Sequence, residues 1–287
     1  MPRLCATVVA LAAVVWNMAD AALVQDTLYI NRGAFTTVSG TTFPWLAFNA
    51  NSTFDPLNKV LSVVPGDILE LTVVNNDTAV HGIAIQEVFS QPGVLAPGSM
   101  TTVQLNTTTE RTYIYSDPTD LPKYTYLGLA GMICVTGTST QRYFWNIKEH
   151  LTGFNQVLAA GGAVDWSAYE PDYFTINGKS FPDLQNDLSA KVNCAVGDTV
   201  RICVVNTGHS AHSIHFHGFH CTALFDSDEL RNNWSKDTWP MKPMSAAILW
   251  FVADKPGQYS IHDHNLVAVS GGGTHPNGMF LITDVAP

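Results

Sequence analysis

Two stretches of the chain repeat one another: Val63-Val64-Pro65-Gly66-Asp67-Ile68-Leu69-Glu70-Leu71-Thr72-Val73-Val74-Asn75 and Cys194-Ala195-Val196-Gly197-Asp198-Thr199-Val200-Arg201-Ile202-Cys203-Val204-Val205-Asn206. In each, a Gly-Asp turn leads into an apolar run that ends on asparagine. Histidine follows, as His81 in the first copy and as His209 and His212 in the second. A turn, a strand and an Asn-bearing loop occurring twice imply two copies of one domain rather than a single large sheet. The 287 residues allow roughly 120 for each copy.

No long stretch carries the 3.6-residue apolar period of a helix. Short runs rich in Val, Ile, Thr, Tyr and Phe instead alternate with Gly, Pro, Asn and Asp clusters, which predicts an all-β chain of two sandwich domains. We place the first domain at 22–150 and the second at 171–287, where Asp172-Tyr173-Phe174-Thr175-Ile176-Asn177-Gly178 starts a fresh strand. Residues 151–170, with Ala159-Ala160-Gly161-Gly162-Ala163, read as the linker.

The N-terminus has the form of a secretory leader over 1–21. Arg3 supplies positive charge, Cys5 to Trp16 is an apolar run, and Ala19-Asp20-Ala21 is a small-x-small cleavage site. A membrane span would need about 18 apolar residues, and no segment supplies them. The mature chain is therefore expected to be secreted and extracellular, and the sequons at Asn51, Asn76, Asn106 and Asn233 predict a glycoprotein. Removing Cys5 with the leader leaves 5 − 1 = 4 cysteines, Cys134, Cys194, Cys203 and Cys221. One disulfide within the second half is expected, leaving two thiols or one cross-domain bridge, and the sequence alone leaves the pairing open.

With 46% hydrophobic and 13% charged residues the chain can bury a large core, which excludes disorder. Its 14 Lys and Arg against 24 Asp and Glu give a net charge of −10 without any basic block, so nucleic acid is not an expected partner.

Eight of the ten histidines fall in the second domain: His209, His212, His215, His217, His220, His262, His264 and His275. On a strand, His215 and His217 leave one face while Ile214 and Phe216 fill the other. His262 and His264 repeat the device. Two such pairs can aim four imidazoles at one point, which suits a transition metal. His81 reads as a structural histidine paired at a strand end.

His212-Ser213-Ile214-His215-Phe216-His217-Gly218-Phe219-His220 resembles the copper-binding motif in the last cupredoxin domain of multicopper oxidases. His262-Asp263-His264, followed by His275 and Met279, resembles its partner motif. The resemblance implies Greek-key cupredoxin domains in which His215, His217, His262 and His264 bind type 2 and type 3 coppers, while His212, His275 and Met279 surround a type 1 copper. It would put the cysteine of that blue site at 263, where this chain has Asp263. A longer loop, with Gly271-Gly272-Gly273, separates His264 from His275.

A second resemblance, to two-domain copper nitrite reductases, covers more of the chain. Its residues are Asp237-Thr238-Trp239-Pro240, Pro256-Gly257-Gln258-Tyr259 and His264-Asn265-Leu266-Val267, and Pro65-Gly66-Asp67 to Gly131-Met132-Ile133-Cys134-Val135 in the first domain. It implies that His264 is a type 2 ligand lent to a neighbouring subunit, hence a homotrimer, with His217 near the substrate. In the first domain it retains His81, but Gln86 and Ser116 stand at the type 2 positions and Asp117, Tyr124 and Leu129 at the other type 1 positions.

These readings lead to a secreted copper-binding cupredoxin protein: a multicopper oxidase-like oxidoreductase with a type 2-like histidine copper site in the second domain and no blue copper. Copper ranks ahead of zinc, since no HExxH-like glutamate accompanies the histidines, and the substrate would be a small molecule or O₂. His212, Asp263, His275 and Met279 would form either a second metal site, a relic type 1 site, or a buried ion pair around Asp263. The alternative is a non-enzymatic extracellular copper-binding or structural module that has lost electron transfer.

Overall fold

A computed structural model describes residues 21–138 and 141–287. All but the last residue of the expected leader lies outside the described residues. The remainder forms two pairs of β-sheets. In the first pair the strand order is Thr42–Asn49, Leu23–Thr36, Ile68–Asn75, Met100–Asn106, facing Leu61–Val63, Ala130–Val135, Arg111–Ser116, His81–Ile85, Phe89–Leu95. In the second it is Tyr173–Ile176, Gln141–His150, Thr199–Asn206, Ser245–Val252, Cys221–Asp226, Ser235–Lys236, facing Asn193–Ala195, Phe280–Ala286, Gly257–Asp263, His212–Phe216, Thr238–Met241.

The repeated stretches occupy the same place in each pair. Gly66 and Gly197 take φ of 101° and 95°, which a side chain would resist, and the next residue's carboxylate closes the turn. Asp67 accepts from the Val64 amide at 3.3 Å and Asp198 from the Ala195 amide at 2.8 Å. Along Ile68–Asn75, Leu69, Leu71 and Val73 point into the core and Asn75 ends the row. Asn75 and Asn206 then bind the following loop alike, each accepting from the amide two residues on, that of Asp77 or Gly208.

The boundary between domains differs from the expected one. Gln141–Ile147 pairs in parallel with Val200–Asn206, as Leu23–Ile30 pairs with Ile68–Asn75, so Gln141–His150 is the opening strand of the second domain and not the end of the first. The expected linker, 151–170, carries the helix Thr152–Ala159 and lays Phe154, Trp166 and Tyr169 against the first domain's core.

The outer face of Thr199–Asn206 is also buried, because Cys203 and Val205 pack with Ala246 and Ile248 against Ile114, Met132 and Cys134 of the first domain. Within that seam Cys134 is joined to Cys203. The expectation of a disulfide inside the second half is thereby corrected: the bridge crosses the domains, and Cys194 and Cys221 are buried free thiols. Among the described residues no helix is long and apolar enough to cross a membrane.

Candidate metal centre

The strand His212–Phe216 alternates as its sequence demands. His212, Ile214 and Phe216 turn inward, while His215, and His217 just beyond it, turn outward. Its antiparallel neighbour sets His262 opposite His215 and Asp263 opposite Ile214, so His262 and His264 also face out while Asp263 is wholly buried.

The four outer rings gather around His215, whose ring centre lies 4.6 Å from His217 and 5.6 Å from both His262 and His264. His215 donates from Nδ1 to the Asp237 carbonyl at 3.2 Å, with the Thr238 hydroxyl 2.9 Å away, and His262 donates from Nδ1 to the Asp263 carbonyl at 2.8 Å. Both bonds leave Nε2 as the lone-pair nitrogen, the arrangement in which a ligating imidazole is held by its second nitrogen. The Nε2 atoms of His217 and His262 are 3.0 Å apart. Two nitrogens about 2.0–2.1 Å from one ion, at angles near 90–110°, would be separated by about 2.9–3.4 Å. That pair fits a first-row metal. Partial burial and the neighbouring His215 and His262 push His217 below the usual histidine range, toward the neutral form that binds metals. Among the described residues no three His, Cys, Asp or Glu side chains already stand as ligands of one ion. Completion of the shell would need His215 or His264 to turn, water, or another chain.

The inner residues do not form a metal site. His212 donates to Asp263 from Nδ1 at 2.5 Å and to Glu149 from Nε2 at 3.0 Å, so neither ring nitrogen has a lone pair to offer. Burial lowers its pKa, but the two carboxylates outweigh burial and raise it to about 9. Burial works against Glu149 as well, yet His212, Lys148 and the His209 amide bring it down to about 2. His275 is exposed and bonds only to the Val269 carbonyl, and Met279 is a core residue. Of the alternatives read for His212, Asp263, His275 and Met279, the geometry matches the ion pair around Asp263, joined by Glu149, with His275 and Met279 apart from it. Glu149 escaped sequence reasoning because it lies 63 residues away on a strand assigned to the other domain. The signal was there in Lys148-Glu149-His150, three polar residues ending an apolar strand.

The first domain repeats the inner arrangement. His81, with no exposed surface, donates from Nδ1 to Asp117 at 2.6 Å and from Nε2 to Asp77 at 2.8 Å, and Arg32 grips Asp77 through two bonds of 2.7 Å. On its outer face the register places Ala84 opposite Ser116 where the second domain places His215 opposite His262. Gln86 lies two residues beyond Ala84, as His217 lies two beyond His215, and it bonds the Met244 carbonyl at 3.0 Å. The first domain has no outer imidazoles.

Two mixed-sheet β-sandwiches in tandem, with imidazoles on one outer face, give a cupredoxin-like fold. The chain has the fold of the multicopper oxidase and copper nitrite reductase superfamily, and residues 157–275 match the family model described as multicopper oxidase. The structure is similar to a blue copper oxidase from Nitrosomonas europaea, with TM-score 0.78 and 21% identity over 92% of this chain and 86% of that one. It is equally similar to the multicopper oxidase mgLAC, with TM-score 0.78 and 22% identity over the same shares. A copper nitrite reductase from Nitrosomonas europaea follows with TM-score 0.69 and 17% identity, over 92% of this chain and 94% of that one. No curated protein sequence matches the chain. At these identities the likeness to the solved structures is one of fold, and the family model covers residues 157–275 only.

Proposed function

We propose that the outer face of the second domain binds copper through His217 and His262, with His215 and His264 beside them, as a type 2-like centre without a blue copper. The observation that carries this reading is the 3.0 Å spacing of the His217 and His262 Nε2 atoms, with the Nδ1 of His215 and of His262 held by oxygen acceptors. Copper bound there would supply one-electron chemistry toward a small substrate or O₂ at an open coordination position. The chain's own part is to hold the rings. The Asp237 and Asp263 carbonyls orient His215 and His262, and His264, exposed at the rim, is free to serve a neighbouring subunit in a trimer.

The remaining expectations fit this setting. The protein is proposed to be secreted, and Asn51, Asn76, Asn106 and Asn233 are all exposed where a glycan could be attached. A non-enzymatic copper-binding module is the second reading, favoured by Asp117 and Asp263, which put carboxylates where the resemblance calls for cysteine.

Metal content tests the site. The purified protein should carry about one copper per chain, and the His217→Ala, His262→Ala double variant should carry none. Full copper in that variant overturns the assignment. Oxygen consumption with a one-electron donor then separates the oxidoreductase from the binding module.

A further inference from the structure

The two buried histidines are held by the same clamp, but its outer arm comes from different elements. The repeat aligns Asn75 with Asn206, and the parallel pairings put Ile30 beside Asn75 and Ile147 beside Asn206. By this register His81 matches His212, Asp77 matches Gly208, and Arg32 matches Glu149. The inner arm is shared to the detail. Asp117 takes the His81 Nδ1 proton together with the amides of Gly82 and Thr119, and Asp263 takes that of His212 together with the amides of Ser213 and Asn265.

At the outer arm the positions are exchanged. In the first domain the loop supplies the carboxylate, Asp77, and the strand supplies its cation, Arg32. In the second domain the strand supplies the carboxylate, Glu149, and the loop supplies no side chain, only the His209 and Ser210 amides, which donate to Glu149 Oε1 at 2.6 and 2.7 Å. A β-carbon on Gly208 would fall 1.8 Å from Glu149 Oε2, so the glycine vacates the space that the carboxylate fills. Gly208 is not among the positive-φ residues, so its backbone tolerates a side chain. The three atoms nearest to that β-carbon all belong to Glu149. Lys148, fully buried and bonded to the Thr125 and Thr207 carbonyls, provides the second positive charge that Arg32 provides in the first domain.

We infer that Glu149, made possible by Gly208, is a positioning residue for the histidine face: through His212 and Asp263 it fixes the backbone carbonyl that orients His262. Asp263 is where inside meets outside. Its carboxylate is held by His212 in the core, and its carbonyl accepts from His262 Nδ1 on the surface. Loss of the outer arm would leave His212 Nε2 without a partner and remove the charge that favours the imidazolium. Asp263 would keep the Ser213 and Asn265 amides but face a neutral, less firmly held imidazole and shift with it. The carbonyl would move with it, and His262 would lose the bond that selects its tautomer.

This inference rests on the outer histidines being the metal site, and it is tested on metal-free protein so that a failure to bind copper cannot be mistaken for its own failure. Nitrogen-15 spectra of the histidine rings should show His212 with both N–H groups and His262 as a single Nδ1–H tautomer. Gly208→Ala should displace Glu149, remove the second N–H signal of His212, and turn His262 into a tautomer mixture. Glu149→Arg and Gly208→Asp alone should each lower Tm by on the order of 10 °C. Combined, they rebuild the first domain's arm and should recover most of that loss together with the single His262 tautomer. A double variant no more stable than its worse parent, or an unchanged His262 signal in Gly208→Ala, overturns the inference. Should Glu149→Arg fail to fold, Gly208→Ala decides alone.

Discussion

His217 and His262 face each other across two strands with their Nε2 atoms 3.0 Å apart. In the metal-free protein one nitrogen must lend the other a proton, and a divalent ion between them would displace it. That proton would pass to the Nδ1 of its own ring, so copper loading above the imidazole range should release none. Below about pH 6.5 copper competes with ring protonation, so loading releases protons and loses affinity. Isothermal titration in two buffers of different ionisation enthalpy would measure it. Proton release that fails to grow as pH falls below about 6.5 would mean that the pair is not the ligand set.

The copper-loaded protein should show no intense visible band. Cys134 and Cys203 are bridged in the domain seam, and Cys194 and Cys221 are buried in the second domain's core. With no thiolate at the histidine face, charge transfer from sulfur is absent. Asp263→Cys should not create a blue site either, because Glu149 holds His212 Nε2 and His275 lies exposed. A narrow copper hyperfine pattern in the paramagnetic resonance spectrum of Asp263→Cys would contradict this.

Stability should depend on pH at both ends. His81 and His212 have folded pKa values raised above the unfolded value of about 6.5, so their contribution is complete below that pH and is lost as pH climbs, toward about 9 for His212. Lys148 acts in the opposite sense, since burial lowers it to about 8 and its penalty is relieved only above that pH. Glu149 contributes above its unfolded value of about 4.3 and loses that contribution as pH falls toward about 2. Urea midpoints of the apoprotein should therefore peak between about pH 5 and 6.5 and decline from there to pH 8. A midpoint that rises over that interval would refute the clamp's charge state.

Removing the cross-domain bridge by Cys134→Ala with Cys203→Ala should cost about 2–4 kcal/mol, the usual effect of releasing a loop of this kind; the sequence separation it closes is 69 residues. Denaturant melts with and without the pair would measure it. In the wild type Cys194 and Cys221, whose thiols burial pushes above the ordinary range, should react with a thiol reagent only after unfolding.

Much of the site could be read along the chain because it depends on local geometry. A strand repeats every two residues, so His-x-His at 215–217 and at 262–264 already places each pair on one face, with Ile214 and Phe216 beneath the first. The repeated Gly-Asp turn and terminal asparagine likewise announced two domains, since Gly66 and Gly197 need only their own φ to make the turn. The opposition of Asp263 to its flanking histidines follows from the same alternation.

What strand alternation cannot encode is which strand lies next to which. Gln141–His150 carries the same alternating residues whichever domain it joins, and only the parallel pairing with Val200–Asn206 takes it to the second sandwich and brings Glu149 to His212. The Cys134–Cys203 bridge depends in the same way on two sheets from different domains meeting at one seam. Sequence by itself determined the faces, the repeat and the inward turn of Asp263. The partner of His212, the pairing of the cysteines and the spacing of the metal-ready nitrogens were decided by tertiary packing, because each is a contact between strands whose proximity no local period specifies.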